Sequence, residues 1–491
     1  MIKFRKMKSK ILSAMLSVSL LLLYSCSKNV SETNIPIVSS TTQNIISDSN
    51  TIVLSDAVKI AIVFLQERNH CNSVSIKSAT TITKKGAPFL HVVNANNNAG
   101  FVLLSADSVY TPILAYNTKG NFSIEKKDLN TGIAVWFNSH SHSLDYIKNN
   151  KTKYTDSIAI INKSLWQELG RKYKINTATT SSAIGNNRLT PYYFPAPPPY
   201  TVSSTTTFTD SVGPLCGTAW DQSVGYNNDC PTRGFLGATA PDSWPNFGHW
   251  LAGCGPVAMG QIMFYWKYPN HTISGDLDWS KMHDITTGIG AQYISKLLAD
   301  IGFAGGAIYN IGNTGETFMD DTNEPVVFDL WYGYSLASRT IGRDGQVTNP
   351  INGVAYASLL ASEIMDHNRP CIITASTGET NLFLGLLYTP YSDAHTWVCE
   401  GDQRSTSVIT YTTTYYWFVN GDNSMHINQT TYSNTFVNDY LYMNWGWGGR
   451  DNGFFYNSNI NYTQPNQDLV TSDLSNSNFM DFQTIVYNIH P

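Results

Sequence analysis

Two rhythms of apolar and polar positions run along the first third of the chain. In TIVLSDAVKIAIVFLQ, Ala57, Ile60, Ala61 and Phe64 recur at helical spacing and Ser55 or Asp56 can cap the start, which predicts a helix over 51–66. PFLHVVNA (88–95) and GFVLLSAD (100–107) read as strands joined by the turn NANNNAG, and TPILAYNTKGNF (111–122) as a further strand pair around a Gly turn. Helical patterns return over 128–148 and 154–175. They give way to KINTATTSSAIGNNRLTPYYFPAPPPYTVSSTTT (174–207), which has no apolar period and carries an Ala-Pro-Pro-Pro run. This is a linker, and a domain boundary falls near 180–205.

Beyond Cys216 the rhythm is helical first and strand-like afterwards. Helices are predicted over 254–267, with Ala258, Ile262 and Tyr265 or Trp266 facing the core, and over 291–301. Strands are predicted at 370–377, 395–402, 413–422, 440–447, 453–458 and 482–489. Helices followed by sheet make an α+β arrangement, and no internal repeat is evident.

The N-terminus has a different character. Five basic residues, Lys3, Arg5, Lys6, Lys8 and Lys10, precede an apolar run of thirteen residues from Ile11 to Leu23. A basic start and an apolar stretch too short to span a bilayer comfortably describe a signal peptide. The run ends Leu23-Tyr24-Ser25-Cys26, which resembles a bacterial lipobox, with Cys26 the lipidated first residue of the mature protein; a plain secretory signal is the alternative. Residues 27–50 are polar and suit a tether. No later run of eighteen apolar residues predicts a spanning helix.

The chain has 491 residues, 42% of them hydrophobic, enough for two or three domains with substantial cores. Net charge is −5, so no polyanion-binding face is indicated and nucleic acid is set aside as a partner. There is no HExxH, no CxxC and no His-rich spacing for a metal, and no cofactor is expected. Of seven cysteines, Cys216 and Cys230 form the nearest plausible disulfide, although most of the thiols read as small buried apolar groups.

Candidate chemistry begins in WLAGCGPVAMGQIMFYWKYP (250–269). Pro256 suits a first helical turn, so Cys254 lies at a helix N-terminus between two glycines. Unpaired backbone N–H groups and the positive end of the helix dipole favour a thiolate there. An inert cysteine in a Gly-flanked turn is the other reading. A thiolate needs a base. His140 and His142 read as lying on a solvated helix, His271, His283 and His426 lie in polar turns, and His490 ends the chain. His395 instead opens the strand HTWVCEGD after a loop. Downstream, MNWGWGG (443–449) offers Asn444 to orient an imidazole and tryptophans to shield it, or else forms a plain Trp-Gly sheet corner. Upstream, AWDQSVGYN (219–227) offers the Gln222 amide for an oxyanion hole.

The order Gln, Cys, His, Asn is that of papain-like cysteine peptidases. His395 follows Cys254 by 141 residues, within their usual separation. WDQSVGYN, GCGPVAMGQIMFYWKYP, LLADIGFAGGAIYN, AHTWVCEGD, MNWGWGG with DNGFF, and QTIVYNIHP resemble the streptopain-type, or C10, family in order and spacing. LSDAVKIAIVF, GFVLLSAD and ILAYNTKGNF resemble its inhibitory pro-domain.

The resemblance implies a papain-like α+β peptidase domain over 208–491 and a small α+β pro-domain over 51–178. The linker at 179–207 would hold the processing site, and the signal peptide (1–26) and tether (27–50) would precede them. It further implies Cys254 as nucleophile, His395 as general base and Gln222 in the oxyanion hole, with Asn444 and Trp445 positioning the histidine. One departure is Ala394, where the family often has Gly before the histidine. The expected partners are protein or peptide substrates, the chain's own pro-domain as inhibitor, and a membrane reached through lipid on Cys26. The expected location is the bacterial cell envelope. The competing functions are papain-like acyl transfer (transpeptidation or deamidation) and a non-catalytic envelope binding protein.

Overall fold

The computed structural model describes residues 50–124, 131–150, 153–173, 200–232, 248–283, 288–309, 316–335, 339–341, 353–375, 381–383, 386–388, 394–418, 425–457 and 483–491. The segments read as signal peptide, lipobox and tether, up to residue 49, and the part of the expected linker at 174–199 lie outside these residues.

The N-terminal part runs α1 (Leu54–Arg68), β1 (Ile76–Lys84), β2 (Ala87–Ala95), β3 (Phe101–Ser105), β4 (Ile113–Asn117), α2 (Thr131–Asn149) and α3 (Lys153–Lys172). Ala57, Ile60, Ala61 and Phe64 are buried, as the helical spacing requires. The predicted cap is not used: Val53 holds the N-cap position without a side-chain bond, and Asp56 pairs with Lys59 in the first turn. Residues 111–122 contain one strand rather than a pair, because β4 finds its second neighbour far along the chain. His140 is a clear correction. It is buried, with Tyr110 Oη 2.8 Å from Nδ1 and the Tyr456 carbonyl 3.1 Å from Nε2. The helix that carries it packs on the C-terminal part instead of facing solvent.

The C-terminal part begins with β5 (Tyr200–Val212), the tail of the segment read as linker. Next come α4 (Cys254–Trp266), the small hairpin β6 (His271–Thr272) and β7 (Gly275–Asp276), and α5 (Gly288–Ala304). A second small hairpin, β8 (Ile308–Tyr309) and β9 (Thr317–Phe318), leads to the one-turn helix α6 (Asn323–Val326). The remaining elements are β10 (Arg339–Ile341), α7 (Gly353–Met365), β11 (Cys371–Ala375), β12 (Asn381–Phe383), β13 (Leu386–Tyr388), β14 (His395–Phe418), β15 (Met425–Asn444), β16 (Gly453–Tyr456) and β17 (Gln483–Tyr487). The two strands expected at 395–402 and 413–422 are one strand, and it pairs with β15 along nearly its whole length.

Eleven of these strands form one sheet, ordered β1-β2-β3-β4-β16-β15-β14-β11-β17-β10, with β5 paired to the outer half of β14. The two parts of the chain meet inside it, where β4 pairs β16 through Tyr116–Phe454 and Ala115–Phe455. Alternation along the strands sorts the core into two faces. Cys371, Ile373, Trp397, Cys399 and Ile485 face α2 and α7 with the N-terminal strands. Ile372, Val398 and Val486 face α4 and α5. Cys371 and Cys399 sit opposite each other in the β11–β14 ladder as free buried thiols. Cys216 and Cys230 are likewise free and buried.

Candidate active site

Cys254 is the first residue of α4. Its N-cap, Gly253, has φ 97° and ψ 148°, a conformation that a side chain strains against. A Cβ at Gly253 would also lie 3.0 Å from the Thr317 methyl. Gly255 permits an equally close approach, since a Cβ there would lie 2.6 Å from the Met319 methyl. The glycines that flank the cysteine therefore let β9 and the turn after it close over the helix start. Residues 255–263 are buried throughout. The helix is thus anchored all round rather than along the single stripe that the sequence suggested.

Thr396 is the strand's contribution to the sulfur. Its backbone N–H and hydroxyl, with the Gly255 N–H, hydrogen-bond the Cys254 sulfur. Burial pushes the thiol above its ordinary value, and the nearby Glu324 carboxyl adds to this. The Thr396 and Gly255 donors pull the other way. In this conformation the helix end does not outweigh desolvation, so Cys254 rests as a thiol.

His395, one residue earlier on β14, is 4% exposed. Its Nε2–H donates to the Trp445 carbonyl at 2.9 Å. In this shorter contact Nε2 carries the proton, because a carbonyl only accepts; the Trp447 indole N–H points at the same nitrogen from 3.3 Å. Trp397 stacks on the ring at 6.0 Å between centroids and 19° between planes. Burial pushes the His395 pKa down to about 4, against a smaller upward pull from the Trp445 carbonyl, so the imidazole is neutral. Among the described residues, the cysteine takes its bonds from Thr396 and Gly255 and not from this ring.

Asn444 is fully buried but turned elsewhere. Its Nδ2 donates to Glu400 Oε1 and to the Thr218 carbonyl, both at 2.8 Å, and its Oδ1 accepts from the Gly446 N–H. The other Glu400 oxygen accepts from the Cys216 and Gly217 N–H groups. In this structure, then, the histidine is oriented by the Trp445 carbonyl, and Asn444 ties the 216–218 segment to the end of β15. Gln222 is buried, and its carbonyl accepts from the Ala252 N–H at 2.9 Å, which holds its loop against the segment leading to Cys254. Asp221 caps that loop by accepting from the Gln222 and Ser223 N–H groups.

The position of Trp445 depends on the N-terminal part. Its indole N–H donates to the Asp451 carbonyl and its backbone N–H to Asn452 Oδ1, both at 3.0 Å. Those two residues are gripped from across the sheet. Asn117 Nδ2 donates to the Asn452 carbonyl at 2.7 Å and the Ser123 N–H to Asp451 Oδ1 at 2.6 Å. Trp136 donates to the Tyr456 carbonyl close by.

The family model described as "Peptidase C10 family" matches residues 220–455, the span that contains all five site residues. The model described as "Spi protease inhibitor" matches residues 44–144. The peptidase part of the chain belongs to the C10 family of cysteine peptidases. It is a cysteine peptidase joined to an inhibitory pro-domain, and the sheet continuous through β4 and β16 is the seam between them.

No curated protein matches the chain. Among solved structures, a fragment of prointerpain A from Prevotella intermedia is similar at 15% identity and TM-score 0.46, with 84% of this chain and 99% of that one covered. Active wild-type interpain A from the same organism is similar at 18% identity and TM-score 0.35, with 58% and 97% covered.

Sequence reasoning missed Thr396, Glu400, Glu324 and the Asp451–Asn452 pair of the peptidase. Thr396 and Glu400 lie inside the motif AHTWVCEGD, and their role follows from strand alternation once His395 is placed. Asp451 and Asn452 lie in DNGFF. Glu324 carries no local signal, since α6 comes beside Cys254 only through the tertiary fold.

Proposed function

We propose that this chain is the precursor of a lipid-anchored, exported cysteine endopeptidase in which Cys254 is the nucleophile and His395 the general base. The observation that carries the reading is the convergence at the start of β14. There the N-terminal residue of a buried helix meets the residue next to a tautomer-fixed imidazole. The Trp445 carbonyl holds the Nε2 proton, so Nδ1 is the nitrogen left to take a proton from the thiol. Catalytic hydrogen bonds in unliganded sites are commonly long and close only when substrate binds.

In the reaction, Cys254 Sγ–H gives its proton to His395 Nδ1, and the sulfur attacks the peptide carbonyl carbon. The oxyanion accepts from the Cys254 N–H and the Gln222 amide. The imidazolium, supported by the Trp445 carbonyl and its Asn444-tied turn, then protonates the leaving amine. Water, deprotonated by the same ring, hydrolyses the thioester and frees the thiol. The pro-domain restrains this chemistry until the linker is cut within 174–207, and Cys26 carries the lipid that holds the precursor at the cell envelope.

The test is Cys254→Ala in the full-length precursor. It is expected to remain uncut on its own and to leave casein intact, while the parent matures and digests it. A Cys254→Ala protein that matures alone and cleaves casein overturns the assignment. N-terminal sequencing and lipid analysis of the mature form test the anchor and the cleavage site.

A further inference from the structure

One carboxyl group beside the nucleophile is left unexplained by the chemistry above. Glu324, in the first turn of α6, is 1% exposed, and neither of its oxygens has a hydrogen-bond partner among the described residues. It lies close to the site. A Cβ at Gly255 would lie 3.6 Å from Glu324 Oε1, an ordinary contact distance, which places the carboxyl beside the residue that follows Cys254. The group is near enough to the Cys254 sulfur to oppose its ionisation. Burial, reinforced by Asp321 and Asp320, pushes Glu324 itself well above the ordinary carboxylate range. A buried carboxyl without a partner is costly, and removing it from water is repaid only when a cation or donors meet it.

The surroundings explain how a partner could arrive. Met319 stands on the same side of Gly255 as the carboxyl, packed against Gly255 and against Gly305, where a Cβ would run into its thioether. Thr317 lines the neighbouring wall against Gly253. A methionine has three rotatable bonds and repacks readily. A flexible side chain therefore stands beside Gly255 at the edge of the nucleophile.

We propose that Glu324 is a specificity-determining residue of this peptidase, its carboxylate receiving the ammonium or guanidinium of a substrate lysine or arginine in a subsite that Met319 covers when empty. The proposal rests on the peptidase reading and adds its substrate class. A cationic side chain entering beside Cys254 would supply the partner that the carboxyl lacks and would ionise it. Binding would thereby turn a neutral buried acid into one half of an ion pair.

The experiment uses the full-length chain after maturation and a set of fluorogenic peptides matched except for Lys, Arg, Gln, Leu or Val at one position on the acyl side of the cut bond. Each such position is varied in turn. The parent enzyme is expected to favour Lys or Arg over the neutral residues at one of these positions by about tenfold or more in kcat/KM. In Glu324→Gln the ratio of basic to neutral substrates should fall to about one, with the change in KM for the basic peptides. Met319→Ala, which uncovers the carboxyl without removing it, should raise that ratio, and it keeps the test open if the glutamine variant fails to fold.

A parent enzyme that prefers Leu or Val at every position tested overturns the proposal. So does a Glu324→Gln enzyme that keeps the Lys/Arg ratio. A variant that changes only the pH profile of all substrates alike assigns Glu324 to the titration of Cys254 instead, and also overturns the proposal. A matured parent that cleaves no peptide at all is a different failure, since it sinks the peptidase reading on which the proposal depends.

Discussion

The seats of Cys254 and His395 are built from opposite kinds of contact. The cysteine's backbone is set by its own neighbourhood, a Gly N-cap, a proline in the first turn and a helix buried from 255 to 263, and only its sulfur meets a distant element, at Thr396. The histidine is held by residues about fifty positions away. Trp445 holds it through a carbonyl, Asp451 and Asn452 hold Trp445, and Asn117 and Ser123 of the pro-domain hold that pair. A nucleophile's place can thus be written into one short segment. The place of its base is a property of the assembled sheet, and here of the inhibitory domain as well.

The widest break of this contrast comes from removing either partner. Cys254→Ala and His395→Ala, each matured in trans by the parent enzyme and purified from it, should lower kcat/KM by several orders of magnitude, measured on a fluorogenic peptide. Equal losses in the two variants would show one chemical unit despite two unlike seats.

Acid should act on the long-range seat before the local one. Burial pushes His91, His140 and His395 each down to about 4 from 6.5. Charging is disfavoured in the folded precursor, so their contribution is full above pH 6.5 and is lost as pH falls from 6.5 toward 4. Each shift corresponds to about 3 kcal/mol as an upper bound. Thermal melting of the precursor should therefore drop steeply across that window. His140→Gln should flatten the drop, because His140 bonds the Tyr456 carbonyl across the seam.

A smaller effect is expected at Asn444. Its amide satisfies the buried Glu400 and the Thr218 carbonyl, so Asn444→Ala should destabilise the protein by about 1–3 kcal/mol in denaturant titrations. If the Trp445 carbonyl alone orients the ring, the pH dependence of kcat should stay where it was. A displaced acidic limb would return the orienting role to Asn444.

Asn117→Ala should have the mildest consequence. It removes one bond at the seam, worth about 1 kcal/mol, and should speed maturation several-fold without altering the matured enzyme. Unchanged maturation would mean that the grip on Asn452 does not restrain the site.

How much of this was legible in the sequence follows the same division. Helical spacing located α1, and Pro256 with the flanking glycines located the start of α4, because local geometry decides both. The α+β order of the second part was legible from periodicity. The single long strand β14 was not, because its middle, Gln403 to Thr412, is polar and is stabilised by β5 and β15 on either side rather than by its own pattern. β5 was hidden in Ser/Thr-rich sequence for the same reason. His140 was misread because its helix buries a polar edge against tyrosines from two distant segments. Asn444 was expected to position the histidine, but its side-chain bonds go to Glu400, Thr218 and Gly446, partners that no linear pattern announces.

The most direct test of the central claim compares alkylation by a thiol-directed epoxide in the precursor and the matured enzyme as a function of pH. The account predicts slow modification of precursor Cys254 that rises only in the alkaline range, because the ionisation of this half-buried thiol is opposed by desolvation and by Glu324. It predicts fast modification of the matured enzyme persisting below about pH 7, as a thiolate paired with imidazolium requires, and lost in His395→Ala. Equal, slow labelling of both forms, or preferential labelling of another cysteine, would contradict it.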